Sequence, residues 1–164
     1  MINNDVLRRL RYALNITELK VIELFKLAGY EIDKQELAGI FLKEDEVGYR
    51  ECGDLVMERF LEGLIASRRG KRGSGGASGA GRTGRAVEPR NRSRLSNNDI
   101  LKGIRIALEL RDDDIIAIMA LAGVALSKPE LTALFRKPGQ ANFRPCGDQF
   151  LRNFLVGLTA KYRG

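Results

Sequence analysis

A motif that could carry chemistry occurs twice in the sequence, each time just before a predicted helix: an aromatic residue, Arg, any residue, then Cys-Gly-Asp. A thiol near a helix N-terminus has a lowered pKa and can act as a nucleophile or a redox sensor. An Arg beside a helix N-terminus can also bind an anion. The candidate binding residues are therefore Tyr49, Arg50, Cys52, Asp54, Phe143, Arg144, Cys146 and Asp148.

The same motif also has a purely structural interpretation. Cys is a small apolar residue that packs well in a core, Asp favours the start of a helix, and Arg can pair with Asp. The chain has no histidine, so the commonest general base for activating a thiol is missing. We therefore favour the structural interpretation and predict no catalytic residue. A thiol-based enzyme or redox sensor that uses Cys52 or Cys146 is the alternative.

Metal and cofactor sites are not predicted. Two cysteines cannot make a four-cysteine zinc site, and histidine, the commonest metal ligand, is absent. The acidic runs Glu44–Glu46 and Asp112–Asp114 lack the alternating ligands of a calcium loop. We interpret them as a solvated loop and a helix start.

A basic segment accounts for the positive net charge of the chain, +7. Residues 67–94 hold nine of the 28 Lys and Arg residues, against one acidic residue. Arg-Gly segments can follow phosphates, but no aromatic residue is available here for stacking on bases. The alternative is that these arginines keep a connector extended and in solution. The nucleic-acid candidates are Arg68, Arg69, Lys71, Arg72, Arg82 and Arg85.

An internal repeat organises the rest of the chain. Asn3-Asn4-Asp5 returns as Asn97-Asn98-Asp99, and the same offset of 94 residues aligns everything up to residues 70 and 164 without a gap. Such a match requires a shared fold. We predict a first helical repeat at 1–69, a flexible basic linker at 70–94 and a second helical repeat at 95–164.

Each repeat is predicted to contain four helices and no strand, which gives an all-α fold. Helical apolar stripes start after each Asn-Asn-Asp, whose side chains we expect to cap the first helix. The third helices, near 33–43 and 127–137, start with capping boxes, and Gly63 and Gly157 inside the fourth helices indicate a close backbone neighbour. Because one such repeat has a thin core, we expect the two to pack about a pseudo-twofold axis.

A DNA-reading helix-turn-helix formed by the second and third helices is a weaker alternative. The third helices carry little net positive charge, and phosphate contacts dominate affinity for DNA.

The motifs around Asn-Asn-Asp and Cys-Gly-Asp, together with Gln149–Leu158, resemble the bacterial YehS-like family of unknown function. The resemblance covers both repeats and implies a tandem-repeat helical protein without supplying an activity. No run of 18 apolar residues or signal pattern is present, so we expect a cytoplasmic protein without membrane contact. We expect a non-enzymatic interaction module, with a protein or an RNA as its partner.

Overall fold

The computed structural model describes residues 2–70, 95–137 and 139–163. These ranges contain eight helices and no strand, which confirms the all-α prediction. The first four are α1 (Asn3–Leu14), α2 (Glu18–Leu27), α3 (Lys34–Ile40) and α4 (Asp54–Gly70). The other four repeat them 94 residues later: α5 (Asn97–Leu108), α6 (Asp112–Leu121), α7 (Lys128–Leu134) and α8 (Asp148–Arg163).

The two repeats pack together through their first and last helices. α1 lies mainly along α8 of the other repeat, and α5 lies mainly along α4. The buried side chains of both repeats therefore form one continuous core, with Phe25, Phe60 and Phe154 as its largest members. This reciprocal exchange of contacts confirms the expected pseudo-twofold arrangement. A bilayer-crossing helix would need a longer apolar stretch than any helix in the described ranges provides.

The central helices approach each other at glycines, as the sequence predicted. A Cβ atom on Gly63 of α4 would overlap the carbonyl oxygen of Leu24 in α2. Gly157 of α8 meets Ile118 of α6 in the same way. The missing side chains let these helix pairs pack with their backbones in contact. Gly29 and Gly123 follow α2 and α6 with φ angles of +77° and +81°, the left-handed conformation expected at a helix end.

The asparagines of Asn-Asn-Asp do not cap the first helix of each repeat, contrary to the prediction. α1 begins at Asn3, so both asparagines lie within its first turn, and Ile2 occupies the N-cap without a side-chain hydrogen bond. In the second repeat the cap is Ser96, which forms a capping box with Asp99. The asparagine amides are occupied elsewhere, by the loop that precedes the fourth helix.

The third helices are shorter than predicted. α3 ends at Ile40 and α7 ends at Leu134, so neither extends to the lysines at 43 and 137. Ser127 and Glu130 form the predicted capping box. In the first repeat Asp33 caps α3, but the carboxylate of Glu36 accepts a hydrogen bond from the Tyr30 hydroxyl instead of reaching back to the cap. Helices of two turns at this position give little support to a DNA-reading helix.

Candidate functional site

The Cys-Gly-Asp loop of each repeat is fastened to the first helix of that repeat. The Asn4 side chain donates to the carbonyl oxygens of Ile40 (2.9 Å) and Arg50 (2.8 Å) and accepts from the Cys52 amide (2.8 Å). Asn98 makes the equivalent three bonds in the second repeat. One amide side chain thus joins the end of the third helix to the loop that starts the fourth.

The neighbouring asparagine extends this attachment to the Asp of the motif. Asn3 donates to the carbonyl oxygen of Cys52 and to Asp54 Oδ1, at 3.1 and 2.9 Å, and Asn97 repeats both contacts at 3.0 and 2.8 Å. The second carboxylate oxygen of Asp54 accepts from the Leu95 amide at 3.0 Å. Asp54 therefore links the first repeat to the segment that leads into the second.

The two thiols are poorly placed for chemistry. Cys52 and Cys146 are 2% and 6% exposed, and each donates weakly to the carbonyl oxygen of the following glycine. Burial raises the pKa of the Cys52 thiol to about 12, and the negative charges of Asp54 and Glu51 add to the rise. Burial and Asp148 raise the pKa of Cys146 to about 12 as well. The helix N-terminus does not produce the lowered pKa that a reactive thiol needs.

The arginines of the motif do not pair with its aspartates, contrary to the structural interpretation. Arg144 pairs with Glu130 at 3.2 Å. The Arg50 side chain lies across Gly39, where a Cβ atom would be 2.9 Å from the Arg50 Cγ. Tyr49 and Phe143 are half-buried beside them. The structure places the eight predicted residues in two equivalent loops and at the helix starts that follow them, Asp54 and Asp148.

Of the six nucleic-acid candidates in the basic segment, the structure describes two. Arg68 and Arg69 lie in the last turn of α4, and the Arg68 side chain is exposed. Lys71, Arg72, Arg82 and Arg85 lie outside the described residues. The boundaries drawn around this segment remain a prediction. Nowhere in the described ranges do three or more Cys, Asp or Glu side chains gather as metal ligands would.

A surface groove that the sequence did not predict runs between α1 and α8, at the junction of the two repeats. Its volume is about 560 Å³. Six side chains line it: Asp5, Arg8, Arg9, Tyr12, Val156 and Thr159. Arg8 forms an ion pair with Asp5, whereas exposed Arg9 has no ion pair with a described residue. The groove therefore combines positive charge with an aromatic ring.

Arginines from α8 extend the positive charge of the groove. The Arg163 guanidinium lies 4.1 Å from the centroid of the Tyr12 ring and donates to the Tyr12 carbonyl oxygen at 3.1 Å. Tyr12 is still 59% exposed, so its ring remains open to a further partner. Arg152 lies one turn before Val156 on the same side of α8. Among the lining residues of the groove, Asp5 supplies one carboxylate against Arg8 and Arg9, while Arg152 also lies near the carboxylate of Asp148.

The equivalent positions of the α5–α4 junction carry different side chains. Gly103 replaces Arg9, Ile106 replaces Tyr12, and Glu58 replaces Arg152. Glu62 replaces Val156 and forms an ion pair with Arg59. Because the same fold accepts both sets, the charge and the ring of the first groove are not required for packing. This difference between the aligned repeats is the feature of the sequence that could have indicated the groove.

Comparison with known proteins gives a family but no activity. The family described as "Protein of unknown function (DUF1456)" matches residues 3–70 and again residues 97–164. The chain is 42% identical over 161 residues to "Uncharacterized protein YehS" of Escherichia coli (strain K12), which covers 98% of this chain and 96% of that protein. No solved structure shows significant similarity to the chain.

Proposed function

The chain belongs to the DUF1456 family, whose function is unknown, and from that premise we propose that it is a non-enzymatic module that binds single-stranded RNA in the groove between α1 and α8. The observation that carries the proposal is the arrangement of Arg8, Arg9 and Arg163 around the exposed ring of Tyr12. Proteins that hold single strands combine a basic groove with aromatic rings on which bases stack.

Charge complementarity favours a nucleic acid over an apolar protein partner. Single strands present regularly spaced phosphates, and the arginines of the groove are spread along two adjacent helices. Val156 and Thr159 between them offer apolar contact for a base or a sugar. A protein partner is the alternative outcome of the test below.

The burial and the raised pKa values of the two thiols support a function without thiol catalysis. Both thiols are buried, their pKa values are raised to about 12, and the chain has no histidine to act as a base. Both are also free rather than joined in a disulfide, which supports the cytoplasm as the proposed location.

Two matched double variants test the proposal. Arg9→Ala/Tyr12→Ala removes one positive charge and one large side chain from the groove. Lys102→Ala/Ile106→Ala removes the same from exposed positions of α5. Binding of a fluorescein-labelled 12-nucleotide RNA is measured by anisotropy at about 50 mM salt. Loss of a charged contact and of a stacked base predicts an affinity at least tenfold weaker for the groove variant alone.

Two results would count against RNA binding in this groove. One is equal affinity of both variants, which would place the contact elsewhere, for instance on the basic segment. The other is no binding of the wild-type chain to RNA. Saturable binding of an acidic peptide in that case would indicate a protein partner.

A further inference from the structure

A second concave site lies in the first repeat, apart from the groove. An open pocket of about 360 Å³ forms where the end of α1 and the turn after it meet the start of α2 and the end of α4. Its apolar wall includes Leu24 and Leu64. Its polar side chains are those of Asn15, Thr17, Lys20, Ser67 and Arg68.

The pocket is positively charged. Lys20 and Arg68 approach it from two different helices, and no carboxylate is among its lining residues. Lys20 lies 3.4 Å from Glu23, but both side chains are exposed and such pairs are weak. Arg68 forms no ion pair with a described residue. Both cations are therefore available to an anionic ligand.

The second repeat has no net positive charge at the equivalent place: Arg111 and Lys161, which stand for Thr17 and Ser67, are balanced by two carboxylates. Asp114 stands for Lys20, Glu109 stands for Asn15, and Tyr162 stands for Arg68. Asp114 accepts a hydrogen bond from the Arg111 amide and so has a role in starting α6. Since the repeat folds with acidic residues here, the fold does not require the cations of the first repeat.

The pocket lies next to one end of the groove. Asn15 lines the pocket, and its Oδ1 accepts a hydrogen bond at 3.1 Å from Arg163, the same residue that stacks on Tyr12. A strand that follows the groove toward Arg163 therefore arrives at the pocket.

We propose that this pocket binds a terminal phosphate group, a phosphomonoester carried by a small apolar or aromatic body. A phosphomonoester carries up to two negative charges near neutral pH, which matches the two cations, whereas an internal phosphodiester carries one. The source is either a free nucleotide or the 5′ end of an RNA strand. The second source rests on the proposed function of the groove, and the first does not.

The experiment uses the full chain and three probes: adenosine 5′-monophosphate, a 5′-phosphorylated 12-nucleotide RNA and the same RNA with a 5′-hydroxyl. Each probe is titrated against wild type, Lys20→Ala/Arg68→Ala, and the control Lys26→Ala/Lys34→Ala. The control removes two exposed lysines of the same repeat that line neither the pocket nor the groove. Thermal unfolding confirms that all three proteins fold.

The proposal predicts one of two patterns. For a free nucleotide, adenosine monophosphate binds wild type and control, and binds the pocket variant at least tenfold more weakly. For a strand end, the 5′-phosphorylated RNA binds at least tenfold more tightly than the 5′-hydroxyl RNA, and the pocket variant loses this preference.

Other patterns separate the pocket from the groove. If adenosine monophosphate fails to bind and the two RNAs bind equally well, the pocket proposal is overturned while the groove proposal stands. If the nucleotide binds through Lys20 and Arg68 but neither RNA binds, the pocket proposal stands and the groove proposal falls. Equal affinity of the pocket variant and wild type for every probe overturns the pocket proposal.

Discussion

The side-chain oxygen of Asn4 accepts a hydrogen bond from the backbone amide of Cys52 across 2.8 Å, and Asn98 binds Cys146 at the same distance. Asn4 is fully buried, and each of its polar side-chain atoms is used. This contact explains why the Asn-Asn and Cys-Gly-Asp motifs occur together in both repeats: each holds the other in place.

Replacing Asn4 should destabilise the protein strongly. Asn4→Ala leaves the buried Cys52 amide and Ile40 carbonyl oxygen, and the partly buried Arg50 carbonyl oxygen, without their partner. At about 1–3 kcal/mol for each unsatisfied buried group, we expect a loss of at least about 3 kcal/mol in the free energy of unfolding. Urea denaturation measures it. Asn98→Ala should lose less because its site is half-buried, and a loss no larger than that of exposed Gln35→Ala would contradict the assigned role of Asn4.

The glycine inside α4 should tolerate no side chain. A methyl group on Gly63 overlaps the backbone of Leu24, so the two helices must move apart. We expect Gly63→Ala to cost at least about 3 kcal/mol or to prevent folding. Gly53→Ala is the matched control, since no atom lies within 4 Å of its added Cβ. Comparable melting temperatures for the two variants would refute the close helix approach.

The thiols should resist alkylation in the folded protein. With pKa values of about 12, almost no thiolate exists at pH 8. Iodoacetamide should therefore modify Cys52 and Cys146 only after denaturation, as followed by mass spectrometry. Rapid labelling of the native protein at pH 8 would revive the thiol-enzyme alternative.

Alkaline pH should destabilise the fold through the same two residues. Folding raises the pKa of each thiol. As the pH rises above the ordinary thiol pKa near 8.5, the unfolded chain therefore loses its thiol protons before the folded chain does. Stability is then lost between roughly pH 9 and 12, by up to about 1.4 kcal/mol per pH unit for each thiol. Urea titrations across this range should give a flatter profile for Cys52→Ala/Cys146→Ala than for wild type. Parallel profiles would show that the thiols do not titrate this way.

The salt dependence of the affinity for RNA should reflect the number of arginines that contact phosphates. If Arg9, Arg152 and Arg163 each neutralise one phosphate, log K against log salt should have a slope of about −2, since single strands contribute about −0.7 per phosphate. Arg9→Ala should make the slope shallower by about 0.7. A much steeper slope that Arg9→Ala leaves unchanged would assign the phosphate contacts to another part of the chain.

An isolated first repeat should not stay monomeric. In the intact chain α1 packs along α8, so the fragment 1–70 leaves the side of α1 that faces α8 uncovered. We expect this fragment to self-associate, with α1 of one copy on α4 of the other, and to form a heterodimer when fragment 95–164 is added. Analytical ultracentrifugation distinguishes these states. A stable monomer of either fragment would mean that the contacts between repeats contribute little.

Sequence patterns predicted the features that depend on residues close together in the sequence. Apolar spacing located all eight helices, and the glycines at 29, 63, 123 and 157 indicated helix ends and close approaches that the structure confirms. Each of these signals lies within a few residues of the feature it predicts, so periodicity and backbone preference suffice.

Other features depend on partners far away in sequence. Asn4 looks like a helix cap from its neighbours, whereas its partners lie 36 to 48 residues away. The groove requires knowing that α1 pairs with α8 of the other repeat and not with α4 of its own. Arg9 and Tyr12 were therefore not predicted from the sequence as binding residues. Their difference from the equivalent Gly103 and Ile106 was nevertheless present in the sequence.

The reciprocal packing of the repeats has an evolutionary consequence. In a homodimer of single repeats, any mutation at the interface would appear on both sides of the symmetry axis. Carrying both copies on one polypeptide releases them from that constraint. The two junctions do differ: a Cβ on Gly103 would lie 3.1 Å from Leu61 Cδ1, whereas the equivalent position of the other junction is the exposed Arg9. A substitution at one junction therefore leaves the equivalent position of the other junction unchanged.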